Sequence, residues 1–211
     1  SLGGLLTKGG FVDDAGTVVT AREVAELVSV FNRATAYATR QGATIVASAG
    51  NSSIDFDHTG PLITLPGSAA NVVTVSATAP VGWATPSWDG TFDGLASYSN
   101  VGRSTIDLGA PGGDYQYPGN ENCTVAGITR PCWVFDMVFS TGSNPNAGLH
   151  SYYWSAGTSM AAPHVSGLAA LVIGEHGGDL APARVRTELA RRALGSGTTA
   201  ELGAGFAQSG F

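Results

Sequence analysis

From Gly157 to Gly174 the chain carries no Asp, Glu, Lys or Arg, while Val165, Leu168, Ala169 and Val172 recur at helical spacing. A helix with so little charge belongs inside a fold, covered on most sides by other elements. Its front end reads Gly157-Thr158-Ser159-Met160-Ala161-Ala162-Pro163-His164-Val165-Ser166-Gly167. A serine stands there among small residues, where an irregular segment turns into helix. Such a junction can hold a nucleophile up to a cleft, beside a helix N-terminus that favours negative charge. Small neighbours let substrate and backbone approach closely. Pro163 is expected within the first turn, where its missing N–H costs no helical bond. The plainer reading, a serine N-cap, fits any serine before any helix.

The elements around this helix alternate. Residues 5 to 19 mix Gly and Asp with apolar residues and read as a loop. Thr20-Ala21-Arg22-Glu23 is a capping box, and Val24, Leu27, Val28, Phe31, Ala34, Thr35 and Ala38 follow at helical spacing up to Gly42. That helix should bury one face. Ala43 to Ala49 then reads as a short buried strand, and helix followed by strand indicates a parallel sheet. Gly50-Asn51 ends it, so Asn51 lies just beyond a strand's carboxyl end, where functional residues collect in open sheets; an ordinary turn asparagine is the plainer reading. Val72 to Ala77 and Ile106 to Ala110 read as further strands, and residues 82 to 100 as loop and hairpin. Residues 112 to 155 read as one long irregular insertion. A last helix from near Pro182 should turn Val185 and Leu189 inward, and Arg184, Arg186, Arg191 and Arg192 mostly outward.

Composition narrows the class. Of 211 residues, 43% are hydrophobic and 12% charged, which excludes a disordered tail or a coiled coil and allows one domain with a sizeable core. Thirty glycines, roughly twice the usual ~7% share, suit a loop-rich α/β enzyme better than a helical bundle. A net charge of -6 with a single lysine, Lys8, argues against nucleic acid or an anionic membrane as partner. No apolar run reaches the ~18 residues of a membrane span. Ser1-Leu2-Gly3-Gly4 lacks both the features of a signal peptide and an initiator methionine, so the chain is expected to begin inside a longer protein. Cys123 and Cys132 bracket a polar loop and fit a disulfide in an oxidising compartment, with two free thiols as the alternative. A zinc site would need more ligands than this pair offers. Asn51-Ser52-Ser53 and Asn122-Cys123-Thr124 match the N-glycosylation pattern.

The serine motif resembles that of the subtilisin-like serine proteases, the subtilases, and further landmarks follow in the family's order. Ser1-Leu2-Gly3-Gly4 resembles the substrate-binding strand, which pairs with a polypeptide as an added β-strand. Ala47-Ser48-Ala49-Gly50-Asn51 resembles the strand carrying the oxyanion-hole asparagine. Thr64-Leu65-Pro66-Gly67 resembles the wall of the primary specificity pocket, whose proline is commonly cis in the family. Tyr98 to Gly102, Leu108 to Gly112 and Gly203 to Phe206 match further family segments. The resemblance implies a subtilisin-like three-layer α/β fold with a mostly parallel central sheet flanked by helices, its amino-terminal strands missing. It implies peptide hydrolysis through an acyl-enzyme on Ser159, with Asn51 and the Ser159 backbone N–H stabilising the oxyanion. Ser1, Leu2, Gly3, Gly4, Ser48, Ala49, Gly50, Thr64, Pro66 and Thr158 are the implied substrate-binding residues.

One departure limits this. The family's Asp-Ser/Thr-Gly and His-Gly-Thr-His motifs precede the substrate strand, and here nothing precedes it. His58 and His150 lie in apparent loops, His164 belongs to the serine motif and His176 follows its helix, so none is expected to replace the missing base. The expectation is therefore a single partial peptidase domain over residues 1–211, inactive alone, from a secreted monomeric enzyme with signal peptide and propeptide upstream. The alternative is an inactive, subtilase-derived binding or scaffold module. An esterase is disfavoured because Gly157-x-Ser159-x-Ala161 departs from G-x-S-x-G. The serine–glutamate–aspartate peptidases usually carry Asp where Asn51 stands. Asp55, Asp57, Asp89, Asp93 and Asp114 lie in loops where calcium could bind, but scattered loop aspartates are more often solvated, and neither metal nor cofactor is assigned.

Overall fold

The computed structural model describes residues 3–144, 149–195 and 199–208; Ser1 and Leu2 lie outside the described residues. The segment read as a loop contains three short strands, β1 (Gly4–Thr7), β2 (Gly10–Val12) and β3 (Val18–Thr20), the last two forming a hairpin. They are too short to show periodicity and depend on their partners for pairing. Helix α1 (Ala21–Arg40) starts at the capping box: Thr20 Oγ1 accepts from Glu23 N, and Glu23 Oε2 accepts from Thr20 N. Its apolar face is only partly covered, because Val24 and Thr35 are buried whereas Leu27 is 41% exposed.

Next come β4 (Ile45–Ser48), β5 (Leu62–Leu65), β6 (Val72–Thr78) and β7 (Leu108–Pro111). Strands β4, β6 and β7 form a parallel sheet in that order, with Val46 beside Val73 and Val75 beside Leu108. Strand β5 pairs antiparallel with β1, Gly4 opposite Leu65. Residues 82 to 100 contain turns but no hairpin of named strands.

The long insertion is more ordered than its composition indicates. It holds hairpin β8 (Asn122–Val125) with β9 (Ile128–Pro131), the short helix α2 (Cys132–Phe135), and hairpin β10 (Val138–Asn144) with β11 (Leu149–Ser155). A disulfide joins Cys123 to Cys132, and both pack with Phe135 against Trp83, Tyr117 and Trp154.

The charge-free run forms α3 (Thr158–Glu175), followed by α4 (Pro182–Arg192) and α5 (Thr199–Leu202). The core lies where one side of α3 meets β6, β7 and α4: Val75, Ala77, Ala110, Val165 and Val185 are wholly inaccessible. Burying each valine stabilises the fold by about 1.5–3 kcal/mol relative to exposure. The expected covering of α3 on most sides does not fully hold, since its outer side is open and Leu171 is 51% exposed. Nor does Pro163 lie in the first turn. As the sixth residue of α3 it denies the Ser159 carbonyl its helical N–H. In α4, Val185 and Leu189 point inward as expected, but Arg192 is not a solvated side chain: it is largely covered and pairs with Glu175 and Glu188.

Candidate active site

Ser159 is the second residue of α3, and Gly157 before the helix offers no side-chain cap. Asn51, just past the carboxyl end of β4, supplies one instead. Its Oδ1 accepts from Thr158 N at 2.9 Å and from Thr158 Oγ1 at 2.7 Å, while Thr158 Oγ1 accepts from Gly50 N at 3.1 Å. A backbone N–H can only donate, so the amide atom facing Thr158 is oxygen and Nδ2 turns the other way. A β-carbon on Gly157 would stand 3.2 Å from Asn51 Nδ2 and 3.7 Å from Ser159 N. Both donors thus border one small space that glycine leaves open. Among the described residues neither has a hydrogen-bond partner, so an anionic oxygen placed there could take both.

The turn carrying Asn51 is held from below. Asn100, 2% exposed, accepts at Oδ1 from Ser52 N (3.0 Å) and Ile54 N (2.9 Å), donates from Nδ2 to Ala49 O (2.9 Å), and donates its backbone N–H to Gly50 O (3.0 Å). Gly50 has φ 99°, and a β-carbon on it would meet Asn100 Nδ2 at 2.6 Å. One layer deeper, Asp114 accepts from Ser97 N and Ser97 Oγ, and Ser53 Oγ donates to Ser97 O. Asp114 is therefore fully buried scaffold rather than a solvated loop aspartate. The nearby Tyr98 hydroxyl donates to Gly112 O and Gly113 O; burial, then the Asp114 charge, raises its pKa and keeps it protonated. Asn100 and Asp114 were not legible as site residues. Asn100 stands within the Tyr98–Gly102 stretch, but nothing in its spacing shows that it clamps a turn 48 positions earlier.

Of the other described substrate-binding candidates, Ser48, Ala49 and Gly50 lead directly into this turn. Gly4 lies in β1, and Gly3 approaches Leu65 O and Ser48 Oγ. Ser48, Ala49 and Thr64 are buried, the Leu65–Pro66 peptide is cis, and Gly67 packs against Thr64 and Thr74. The cavity of about 330 Å³ beside Ser159 is bounded by other groups: Phe139 and Tyr153 of the β10–β11 hairpin, and Met160, Pro163 and His164 of α3. Among the described residues no carboxylate lines it.

Among the described residues no side chain hydrogen-bonds Ser159 Oγ. His164 Nδ1 faces Met160 O, His176 Nδ1 faces Val172 O, and exposed His58 pairs with Asp55, whose hydrogen bond raises the His58 pKa. His150 falls in β11 rather than in a loop. Asp57 accepts from Arg103 N and Ser104 N, and no group of three His, Cys, Asp or Glu able to hold a metal occurs among the described residues.

The family model described as "Subtilase family" matches residues 6–206. The chain belongs to the subtilase family. Relatives include an extracellular protease of Xanthomonas campestris pv. campestris, 34% identical over 80% of this chain, and the subtilisin-like serine protease Pen ch 13 of Penicillium rubens, 33% identical over 81%. A lanthipeptide protease structure superposes over 99% of the chain with TM-score 0.68 and 26% identity. The epidermin leader peptide processing serine protease of Staphylococcus aureus superposes over 100% with TM-score 0.71; at 23% identity that likeness concerns the fold alone. This subtilase chain spans 57% and 48% of those two structures, and 23% and 33% of the two relatives.

Proposed function

We propose that the protein is a serine endopeptidase in which Ser159 Oγ attacks the scissile carbonyl to form an acyl-enzyme. The observation that carries this reading is the convergence of Asn51 Nδ2 and Ser159 N on one open space at the start of α3. Oxygen that becomes anionic on attack would gain both donors in the transition state, where stabilisation raises rate. Substrate would add as a strand beside Ser1-Leu2-Gly3-Gly4, with Ser48, Ala49, Gly50, Thr64 and Pro66 around the side chain preceding the cut and Thr158 holding Asn51.

Serine needs a base, and the triad Asp and His are assigned to a segment preceding Ser1. The open cavity beside Ser159, the exposed side of α3, and the half-length match to solved relatives support that assignment. Residues 1–211 then form part of one peptidase domain and are inactive alone. The extracellular relative and the disulfide support secretion, and no described helix is long and apolar enough to cross a membrane. A second reading, an inactive binding module, is favoured by one observation: Ser159 Oγ lacks a base among the described residues. Hydrolysis of a fluorogenic peptide by the full-length protein, abolished in Ser159→Ala, is the expected result. Equal hydrolysis by the variant would reject the peptidase reading, and no hydrolysis by either would favour the binding module.

A further inference from the structure

We propose that Asn100 is a positioning residue for the Asn51 amide, an inference that rests on the oxyanion reading of Asn51. Asn51 stands at the tip of a turn and is exposed, so few contacts of its own fix the direction of its side chain. Only Oδ1 is tied, to Thr158. The rest of its aim comes from the backbone, and Asn100 grips that backbone on both flanks. Before the turn it takes the Ala49 carbonyl with Nδ2 and the Gly50 carbonyl with its own N–H; after the turn its Oδ1 takes the Ser52 and Ile54 N–H groups. Four hydrogen bonds from one buried residue thus leave Asn51 as the one link between two clamped segments.

The clamp is itself seated. Val101 N donates to Ile54 O, Ser53 N donates to Tyr98 O, and Ser97 is held by Asp114. A carbonyl acceptor and two N–H donors must be served at once; the Asn100 amide does so from two separate atoms, whereas an ionised aspartate has no donor and a serine hydroxyl has a single oxygen for both roles. Among the described residues Asn100 makes no hydrogen bond to Ser159 or to the Asn51 side chain. Its effect passes through Asn51.

A double-mutant cycle in the full-length protein tests this, using Asn51→Ala, Asn100→Ala and the pair, with kcat, KM and melting temperature measured for each. Asn51→Ala should lower kcat by about 10²–10³ with KM little changed. Asn100→Ala should lower kcat by roughly 10- to 100-fold, the scale of a small misplacement of a catalytic group, also without a matching rise in KM. With Asn51 already replaced, adding Asn100→Ala should change kcat less than about twofold, since no amide is left to aim. Asn100→Asp keeps the acceptor for Ser52 and Ile54 and should retain more kcat than Asn100→Ala, which guards against a fold too damaged to read. The same loss from Asn100→Ala in both backgrounds would mean a merely structural role and overturn the inference. If Asn51→Ala leaves kcat unchanged, the oxyanion reading itself fails and this inference with it.

Discussion

Thr158 shows how much of the candidate site hangs on single atoms. Its Oγ1 donates to Asn51 Oδ1 and accepts from Gly50 N, in a position 1% exposed. Thr158→Val keeps the shape but strands the part-buried Gly50 N–H, so a loss of about 1 kcal/mol of stability is expected by denaturant unfolding, together with a lower kcat. Wild-type values for both would contradict the assigned role of this hydroxyl. For Asn51→Ala, a loss of about 2.7–4 kcal/mol in transition-state stabilisation is expected from kcat, the magnitude established for the oxyanion asparagine of another subtilase. Ser159 and Asn51 were legible in the sequence as candidates because the residues around them form long ordered motifs. Asn100 and Asp114 were not, since their partners lie far along the chain and only the folded turn brings them together.

Among the elements, those with a strong pattern of their own were readable. The capping box announced α1, and the short runs of small and β-branched residues in β4 and β6 announced buried parallel strands. The insertion between β7 and α3 was not readable, because its hairpins alternate weakly and draw order from aromatic packing such as Phe139 on Tyr152 and Trp154. Two predictions belong to this insertion. Replacing Cys123 and Cys132 by serine should cost roughly 2–3 kcal/mol on a loop-entropy estimate, read from unfolding of wild type and variant without reductant. An unchanged midpoint would show that the insertion holds without its crosslink.

The second concerns Asp136, which is 1% exposed and accepts from Gly82 N and Trp83 N. Burial raises its carboxyl from the ordinary 3.8 to about 6; those N–H groups oppose the rise and the Asp114 charge adds to it. The folded value lies above the unfolded one, so the native state binds the extra proton between them. The stability this provides is fully present below about pH 4 and is lost as pH rises through about 6. Two units correspond to about 3 kcal/mol. The unfolding free energy of wild type minus that of Asp136→Asn should therefore fall by up to that amount between about pH 4 and pH 7. A difference that stays level, or rises, would contradict the burial argument.

At the scale of the whole molecule, the α/β architecture and the family were legible, whereas the extent of surface exposure was not. The charge-free α3 was expected inside, yet its outer side stays open at Leu171, and α1 exposes Leu27, Val30 and Tyr37. Exposed apolar surface of this kind marks interaction sites or aggregation liability. Under the proposed function, further chain covers part of it and brings the base to Ser159. Labelling with a fluorophosphonate, followed by mapping of the adduct by mass spectrometry, tests that claim most directly. The full-length protein should carry one adduct on Ser159, with none in Ser159→Ala and none in residues 1–211 alone. Adduct of equal yield in Ser159→Ala would show that Ser159 is not the nucleophile.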